Sequence, residues 1–559
     1  MAGALGAIVS LLAIGFVEAV LWLNEALLIS PRSRVQLDDP RLLAVLTLLV
    51  PSLGGLAVGL LLYRWSPARR GLGPPDVIRA TQLGTALPDE RAGAVSTLAA
   101  IVSLGCGASV GQYGPLVYLG AMVGAAARRL RVGIPNLASI ATACGVAAAI
   151  STAFNAPIAG LVFAHEVILR HYSLQAFAPT TVASAAGFVV ANVVFDRPAL
   201  FLVDFDGVEH GHEFVLFAIL GILCALLAVA FIRAVLLSAR LAAGSGVPRV
   251  LRPALAGLIV GVVALQLPDV LGIGREVLRF ATIPGAFGDI ELAVLVLAKT
   301  LLTALCIGFG FAGGVFSPSL LIGILFGALF WSLLALGGIP NSGVAVYAIG
   351  GMMALASPVI GAPLTTILIV YELTRSYELT VAAMVSVVFS NLLAYRLVGR
   401  SLFDIQLKNQ GVDLSEGRDR ALLQNTLVVD LCTGTPHTLQ RDCTRDDAIA
   451  ALIGTNAAEA VVVDDGGRYR GVVRLQDLLR GDADGEATLE RVLNEDWLGL
   501  DETSTLWEAM TRMRDFVGER VPVVDRASGE LIGVVTEGDI IAAYLAVVHR
   551  VREEENESL

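Results

Sequence analysis

Charge is what this chain of 559 residues is short of: only 16% of its residues are Asp, Glu, Lys or Arg, against 55% hydrophobic. That leaves too little polar surface to cover a soluble fold of this length, and a mean hydropathy of +0.74 points to a polytopic membrane protein. Cysteine is scarce as well. The six that occur, Cys106, Cys144, Cys224, Cys306, Cys432 and Cys443, form no CxxC pair and mostly sit in apolar runs. A disulfide framework or zinc site is therefore not expected, and packing is the reading that remains. The sequence has no P-loop, no metal-ligand cluster and no nucleophile motif, so an enzyme is not expected either. The first apolar stretch lacks a basic leader and a small-residue cleavage site, and is read as a retained helix, not a signal peptide.

What is present is apolar length. The segments 4-ALGAIVSLLAIGFVEAVLWL-23, 42-LLAVLTLLVPSLGGLAVGLLLY-63 and 213-EFVLFAILGILCALLAVAFI-232 each reach the ~20 residues that cross a ~30 Å hydrocarbon core. Others, near 115–127 and 136–150, are shorter and interrupted by Gly or Pro. They predict broken or re-entrant helices, whose freed backbone must face protein or a water-filled cavity. The net charge of −11 is uneven. Residues 428–559 carry 27 acids and 13 bases, leaving 23 acids and 26 bases before them, so an acidic soluble tail follows a membrane part.

The membrane part repeats itself. Setting 105-GCGASVGQYGPLVYLGAMVG-124 over 308-GFGFAGGVFSPSLLIGILFG-327 places Gly105, Gly107, Gly111, Pro115, Gly120 and Gly124 on Gly308, Gly310, Gly314, Pro318, Gly323 and Gly327. Further on, Gly145, Ala156, Pro157 and Glu166 fall on Gly351, Ala362, Pro363 and Glu372. Paired halves with Gly/Pro-interrupted helices at matching places point to a midplane binding site, often between inverted repeats. A helix starting inside the membrane offers unpaired N–H groups and a positive dipole end, and glycine lets that backbone approach a ligand. Two such ends aimed at one point suit an anion that must bind and also leave. Close helix packing through small residues is the competing account of the glycines. A dinucleotide loop fits poorly, since the spacing is GxGxxxG and no acidic ribose partner follows.

These residues resemble the CLC family of chloride channels and proton/chloride exchangers. The family's motifs stand here as 71-GLGPP-75, 111-GQYGP-115 and 314-GVFSP-318, with Phe403 in 399-GRSLFDIQL-407 at the place of its late tyrosine and 153-AFNAPIAGLVFAHE-166 also family-like. The resemblance implies an all-α polytopic domain of inverted repeats, and a homodimer with one anion path per subunit. By position, backbone groups of Gln112, Tyr113 and Gly114 would form an outer anion site, faced by Val315, Phe316 and Ser317. Leu72, Gly73 and Phe403 would line a central one. The family's serine and tyrosine hydroxyls are missing at Leu72 and Phe403, so a buried anion there keeps more of its desolvation cost.

Tyr113 stands where the family carries a glutamate that gates the path and carries protons. A phenol, with a reference pKa of roughly 10, does not exchange charge states near pH 7 as a carboxylate can. The inner proton position falls at Val167, next to Glu166, and valine there is the pattern of channel-like members. The expectation is passive permeation, with the Tyr113 ring filling the pathway and its O–H offered to the anion. A permanent plug is the competing account. An exchanger with another proton route and a non-conducting sensor are the alternative functions. His165 is read as a packed side chain that could titrate. Lys299 is either functional or a snorkelling lysine. Arg64, Arg69, Arg70, Arg396 and Arg400 suggest cytosolic loops in an inner or plasma membrane, and so a cytosolic tail.

The tail repeats too: 461-VVVDDGGRYRGVVRLQDLL-479 lies over 522-PVVDRASGELIGVVTEGDII-541, each read as helix, strand, turn, strand, helix. This resembles a tandem pair of CBS domains, which often bind adenine nucleotides. Thr536 and Asp539, with Asp477 in the first unit, are the candidate ribose contacts, although an Asp at a helix start can simply cap it. Arg474 stands where the first unit would carry the threonine. The expected layout is 1–404 membrane domain (repeats near 40–200 and 213–404), 405–427 linker, 428–486 and 487–548 CBS units, and 549–559 a disordered acidic end. Expected partners are chloride or similar small anions, membrane lipid and a second copy, with no nucleic acid. No cofactor is expected beyond that nucleotide.

Overall fold

The computed structural model describes all residues except 37–38, 131–135, 197–200, 202–206, 433–436, 481–488, 515, 517 and 557–559. Two compact units divide after Gly411. The first is helical. Its leading half contains α1 (Ala2–Ala26), α2 (Pro31–Val35), α3 (Pro40–Trp65), α4 (Pro74–Leu83), α5 (Glu90–Gly105), α6 (Tyr113–Ala126), α7 (Leu137–Phe154), α8 (Pro157–Phe163) and α9 (Leu174–Val189). The second half holds α10 (Glu213–Gly244), α11 (Arg252–Ala264), α12 (Arg275–Phe280), α13 (Asp289–Gly308), α14 (Phe316–Leu336), α15 (Val344–Ile360), α16 (Pro363–Thr374) and α17 (Tyr377–Val398). A short α18 (Leu402–Asn409) closes the unit. Among the described residues, eight helical segments are long and apolar enough to span a membrane.

The same neighbours recur in both halves. Helices α1, α7 and α9 pack together as α10, α15 and α17 do, and α6 crosses α7 as α14 crosses α15. The repeat, legible in the sequence from near residue 40, therefore extends in packing back to α1. Contacts of α3 with α11 and of α8 with α16 join the halves.

Local chemistry sets the breaks. Helix α7 stops at Asn155 and α15 at Gly361, both left-handed, and Pro157 and Pro363 then open α8 and α16 at the position where a missing N–H costs nothing. The crossings rest on glycine. A Cβ on Gly120 would lie 2.4 Å from the Gly145 carbonyl oxygen, and one on Gly323 would lie 2.5 Å from that of Gly351. The close-packing account is thus right for Gly120, Gly124, Gly323 and Gly327, which let helix backbones touch.

The second unit runs α19 (Arg418–Asn425), β1 (Thr438–Gln440), α20 (Arg445–Gly454), β2 (Glu459–Val463), β3 (Tyr469–Arg474), α21 (Leu475–Arg480), β4 (Leu500–Asp501), α22 (Leu506–Met513), β5 (Arg520–Val524), β6 (Leu531–Thr536) and α23 (Glu537–Asn556). Each three-stranded sheet has a parallel first pair and an antiparallel second, with a bulge at Val462/Val463 and at the matching Val523/Val524. The two copies meet tip to tip, Tyr469 N–H donating to Gly529 and Leu531 N–H to Gly467.

Two expectations need correction. Residues 405–427 are not a plain linker: they hold the end of α18 and then α19, whose Leu423 joins Val428, Leu500 and Leu506 in the core of the second copy. The acidic end is helical as far as Asn556, because α23 continues with Val551 buried and a His549–Glu553 ion pair along its face. Residues 557–559 and the expected 486/487 boundary lie outside the described residues.

Candidate functional site

The repeated glycine motif divides its labour. Gly107 and Gly310 adopt φ of +88° and +97°, turning the chain out of α5 and α13. Gly111 and Gly314, the central pair, exchange two backbone hydrogen bonds with each other, 2.7 and 2.8 Å long. The loops ahead of α6 and α14 are thereby clamped together at repeat-related residues, and the N-termini of both helices converge there. Pro115 and Pro318 lie in the first turn of each, where no intrahelical donor is needed.

Gln112 N–H donates to Ser317 Oγ at 3.2 Å, a third bond across the halves at this point. Gln112, Tyr113 and Ser317 line one small cavity of about 50 Å³, together with Arg275 and apolar neighbours. Ser317, whose hydroxyl accepts from Gln112 N–H, is therefore a chamber-lining residue with a polar side chain, although the sequence argument had only backbone in view. Gly114 lies against Gly314 and Pro74, which brings the first motif's helix to the same place.

Tyr113 is buried. Its ring stacks on Phe154, at the end of α7, with centroids 4.0 Å apart, and tilts against Phe316 at 5.4 Å. Phe163 extends the cluster beyond Phe316 at 6.3 Å. The space-filling part of the expectation for Tyr113 thus has a definite form, a ring wedged among aromatics from α7, α8 and α14. Phe154 was not singled out from the sequence, because one Phe near a helix end carries no signal of its own.

The first motif uses its donors internally. Leu72 N–H goes to Ser96 Oγ at 2.8 Å, and Gly73 N–H to Asp76 Oδ2 at 3.0 Å, with Arg70 gripping the Asp76 carboxylate through two nitrogens. Leu72 presents an apolar side chain, as does Phe403, which is buried near the start of α18 where that helix packs on α4 and α15.

The repeated glutamates are reciprocal caps. Glu166 accepts from the N–H groups of Leu364 and Thr365, both at 2.8 Å, and from the Thr365 hydroxyl, closing the start of α16. Glu372, on α16, accepts from Ile158 and Ala159 at the start of α8. A carboxylate so engaged satisfies orphan donors of the opposite half. Val167 follows, buried, in a π-helical turn after α8. Removing either carboxylate by Glu166→Ala or Glu372→Ala should cost about 1–3 kcal/mol, read as a lowered unfolding temperature. Glu166→Gln should leave the ratio of proton to anion movement unchanged; a shifted ratio would show that Glu166 does more than cap.

His165 is fully buried, with Nδ1 2.9 Å from the His171 carbonyl and Nε2 3.0 Å from the Thr180 hydroxyl, as expected of a packed histidine. Lys299 does not snorkel. It is 2% exposed and donates to the carbonyls of Val270 and Gly272, pinning the segment before α12, whose Gly272 N–H in turn reaches Gly107. That segment presents Arg275, a cation the sequence reading passed over because it follows an ordinary run of loop residues.

In the tail, Asp539 Oδ2 accepts from the Thr536 N–H and hydroxyl, and Asp477 is paired with Arg474 at 2.7 Å. The capping role is thus realised at 536–539. In the first copy the carboxylate is taken up by the residue that replaced the threonine.

Two interlocked helical halves with helix N-termini meeting at their paired loops define a membrane protein of the inverted-repeat channel and transporter class. A family profile described as voltage gated chloride channel matches residues 54–395, and CBS domain matches cover 428–484 and 489–546. The chain belongs to this family, the CLC proteins, as a multi-pass membrane protein with a CBS pair. A putative chloride channel protein ClcB-like from Ralstonia nicotianae is 32% identical over 370 residues, 64% of this chain and 84% of that one. Chloride channel protein CLC-f of Arabidopsis thaliana is 29% identical over 475 residues, 80% of this chain but 56% of the plant protein. The crystal structure of a slow cyanobacterial Cl⁻/H⁺ antiporter matches with a TM-score of 0.66 at 25% identity, covering 73% of this chain and 96% of that one.

Proposed function

We propose that the protein conducts chloride or a similar small anion passively, through one path in each subunit of a homodimer. The observation that carries this reading is Tyr113, a phenol stacked among aromatics where the N-terminal ends of α6 and α14 meet, so that no carboxylate stands at the position of the gate. Val167 supplies no inner carboxylate, and its neighbour Glu166 is committed to a helix cap. Anions would be held by first-turn N–H groups of α6 and α14 and by the Ser317 hydroxyl, with Leu72 and Phe403 as apolar walls beyond. The tail lies in the cytosol by the charge of the flanking loops. Any adenine nucleotide would be held by Thr536 and Asp539 in preference to Asp477, which is already ion-paired.

The rival reading, proton-coupled exchange, draws support from the likeness to a Cl⁻/H⁺ antiporter. Reconstituted liposomes separate the two when chloride efflux and proton uptake are recorded together. Chloride flux without stoichiometric proton uptake is the expected result. Coupled uptake would establish exchange and sink the passive reading, and silence in both channels would favour a sensor.

A further inference from the structure

We infer that the protein has a second anion site, ahead of the helix-end chamber, built to hold a polyatomic oxyanion. A cavity of about 570 Å³ opens between the end of α1, α2 and the segment leading into α12. It is lined by four guanidinium groups, Arg32, Arg34, Arg275 and Arg279, against three carboxylates, Glu25, Asp269 and Glu276. Lys299 anchors the wall on the α12 side through two backbone carbonyls. Val17, Gln112, Ile273 and Arg275 line this cavity and also the 50 Å³ chamber beside Tyr113, so the wide space and the narrow one share a wall.

The independent sign of a ligand is hydrogen bonding. Among the described residues, buried side-chain polar atoms that lack a protein partner are scattered through both units, but three of them, Asn24 Oδ1, Arg34 Nη1 and Gln112 Oε1, belong to residues lining this one cavity. Buried polar atoms are ordinarily satisfied, and an unpaired guanidinium nitrogen is costly. A single halide cannot satisfy a donor and two amide groups spread over α1, α2 and the start of α6. An oxyanion presents several oxygens, and the guanidinium fork matches two of them at once. Each amide can turn its NH₂ inward to meet an anion, since oxygen and nitrogen there are interchangeable by rotation. The occupant is therefore an inorganic oxyanion of sulfate or phosphate type. It sits at the mouth of the chamber, which at 50 Å³ is far narrower, and slows entry of smaller anions.

Titrating sulfate into the purified full-length protein by calorimetry tests the site without needing conduction. Sulfate should bind, Arg34→Gln and Arg275→Gln should each weaken binding by about tenfold or more, and Glu276→Gln, which removes a repelling carboxylate, should tighten it. The last variant gains affinity, so misfolding cannot imitate its effect. In liposomes, sulfate on the cavity side should slow chloride efflux through the wild type more than through either arginine variant. No sulfate binding to the wild type, or unchanged affinity in both arginine variants, overturns the inference. Binding in a protein that conducts nothing would preserve this site and sink only the passive-pore reading.

Discussion

Replacing Tyr113 by alanine should raise anion flux by on the order of tenfold. The ring lies against Phe154 at 4.0 Å and Phe316 at 5.4 Å, and Tyr113 lines a small chamber together with Gln112 and Ser317. On the proposed path, an anion moving past must displace it. Lost stacking of ~0.5–1.5 kcal/mol per aromatic pair, over two pairs, is enough to set a barrier of the ~1.4 kcal/mol that corresponds to a tenfold rate. Alanine removes that barrier. It also leaves a cavity costing about 3–5 kcal/mol of stability, so flux must be normalised to folded protein. Tyr113→Phe is the informative companion: it keeps the stacking and deletes only the hydroxyl. If the O–H is an anion ligand, Phe should weaken apparent anion affinity by about tenfold or more at little cost in stability, since hydrogen bonds to charged groups contribute ~1.5–3 kcal/mol. Flux unchanged in both variants would mean that Tyr113 is neither gate nor ligand. Tyr113→Glu would place an ionisable group there, and its flux should fall as pH rises and the carboxylate charges and occupies the anion's place.

Much of this was legible because the chain says it twice. The glycine motif and the later Gly-Ala-Pro-Glu series repeat at constant offsets, and the structure pairs those residues with one another: Gly111 with Gly314, the Glu166 carboxylate with the start of α16, and Glu372 with the start of α8. A repeat marks positions whose packing is shared by both halves, which is why the scaffold could be read. Departures from the repeat were harder. Arg275 and Arg34 have no counterpart that the motif comparison singled out, and each lies in a short segment without periodicity, so their convergence on one cavity needed coordinates. Lys299 was visible as a buried charge, but its partners are backbone carbonyls, which no sequence displays. In the tail, the strands β1 and β4 escaped notice because three and two residues are too short for alternation to register. The acidic end misled for the opposite reason: its composition suggests disorder, while its spacing continues α23.

The glycines at the crossing point carry the second large expectation. A Cβ on Gly111 would stand 2.7 Å from both the Gly314 carbonyl oxygen and Pro318 Cδ, and 3.0 Å from the Ser317 nitrogen; one on Gly314 would meet the Gly114 nitrogen at 2.9 Å. These neighbours are backbone or proline, so none can swing away, and the loops must part. Parting them strains or breaks the two reciprocal hydrogen bonds, each worth about 1–3 kcal/mol when left unsatisfied in a buried place, on top of ~1–3 kcal/mol of overpacking. Gly111→Ala and Gly314→Ala should each lower the unfolding temperature sharply and abolish anion flux, because the helix ends proposed to hold the anion lose their mutual alignment. The double variant should be little worse than either single one, since both act on one contact and such effects do not add. Gly15→Ala is the control: nothing lies within 4 Å of its added Cβ, and alanine favours the helix, so stability and flux should hold or improve. Equal damage from all three substitutions would mean that glycine matters here for general helix packing, and that the Gly111–Gly314 clamp has no special place in the site.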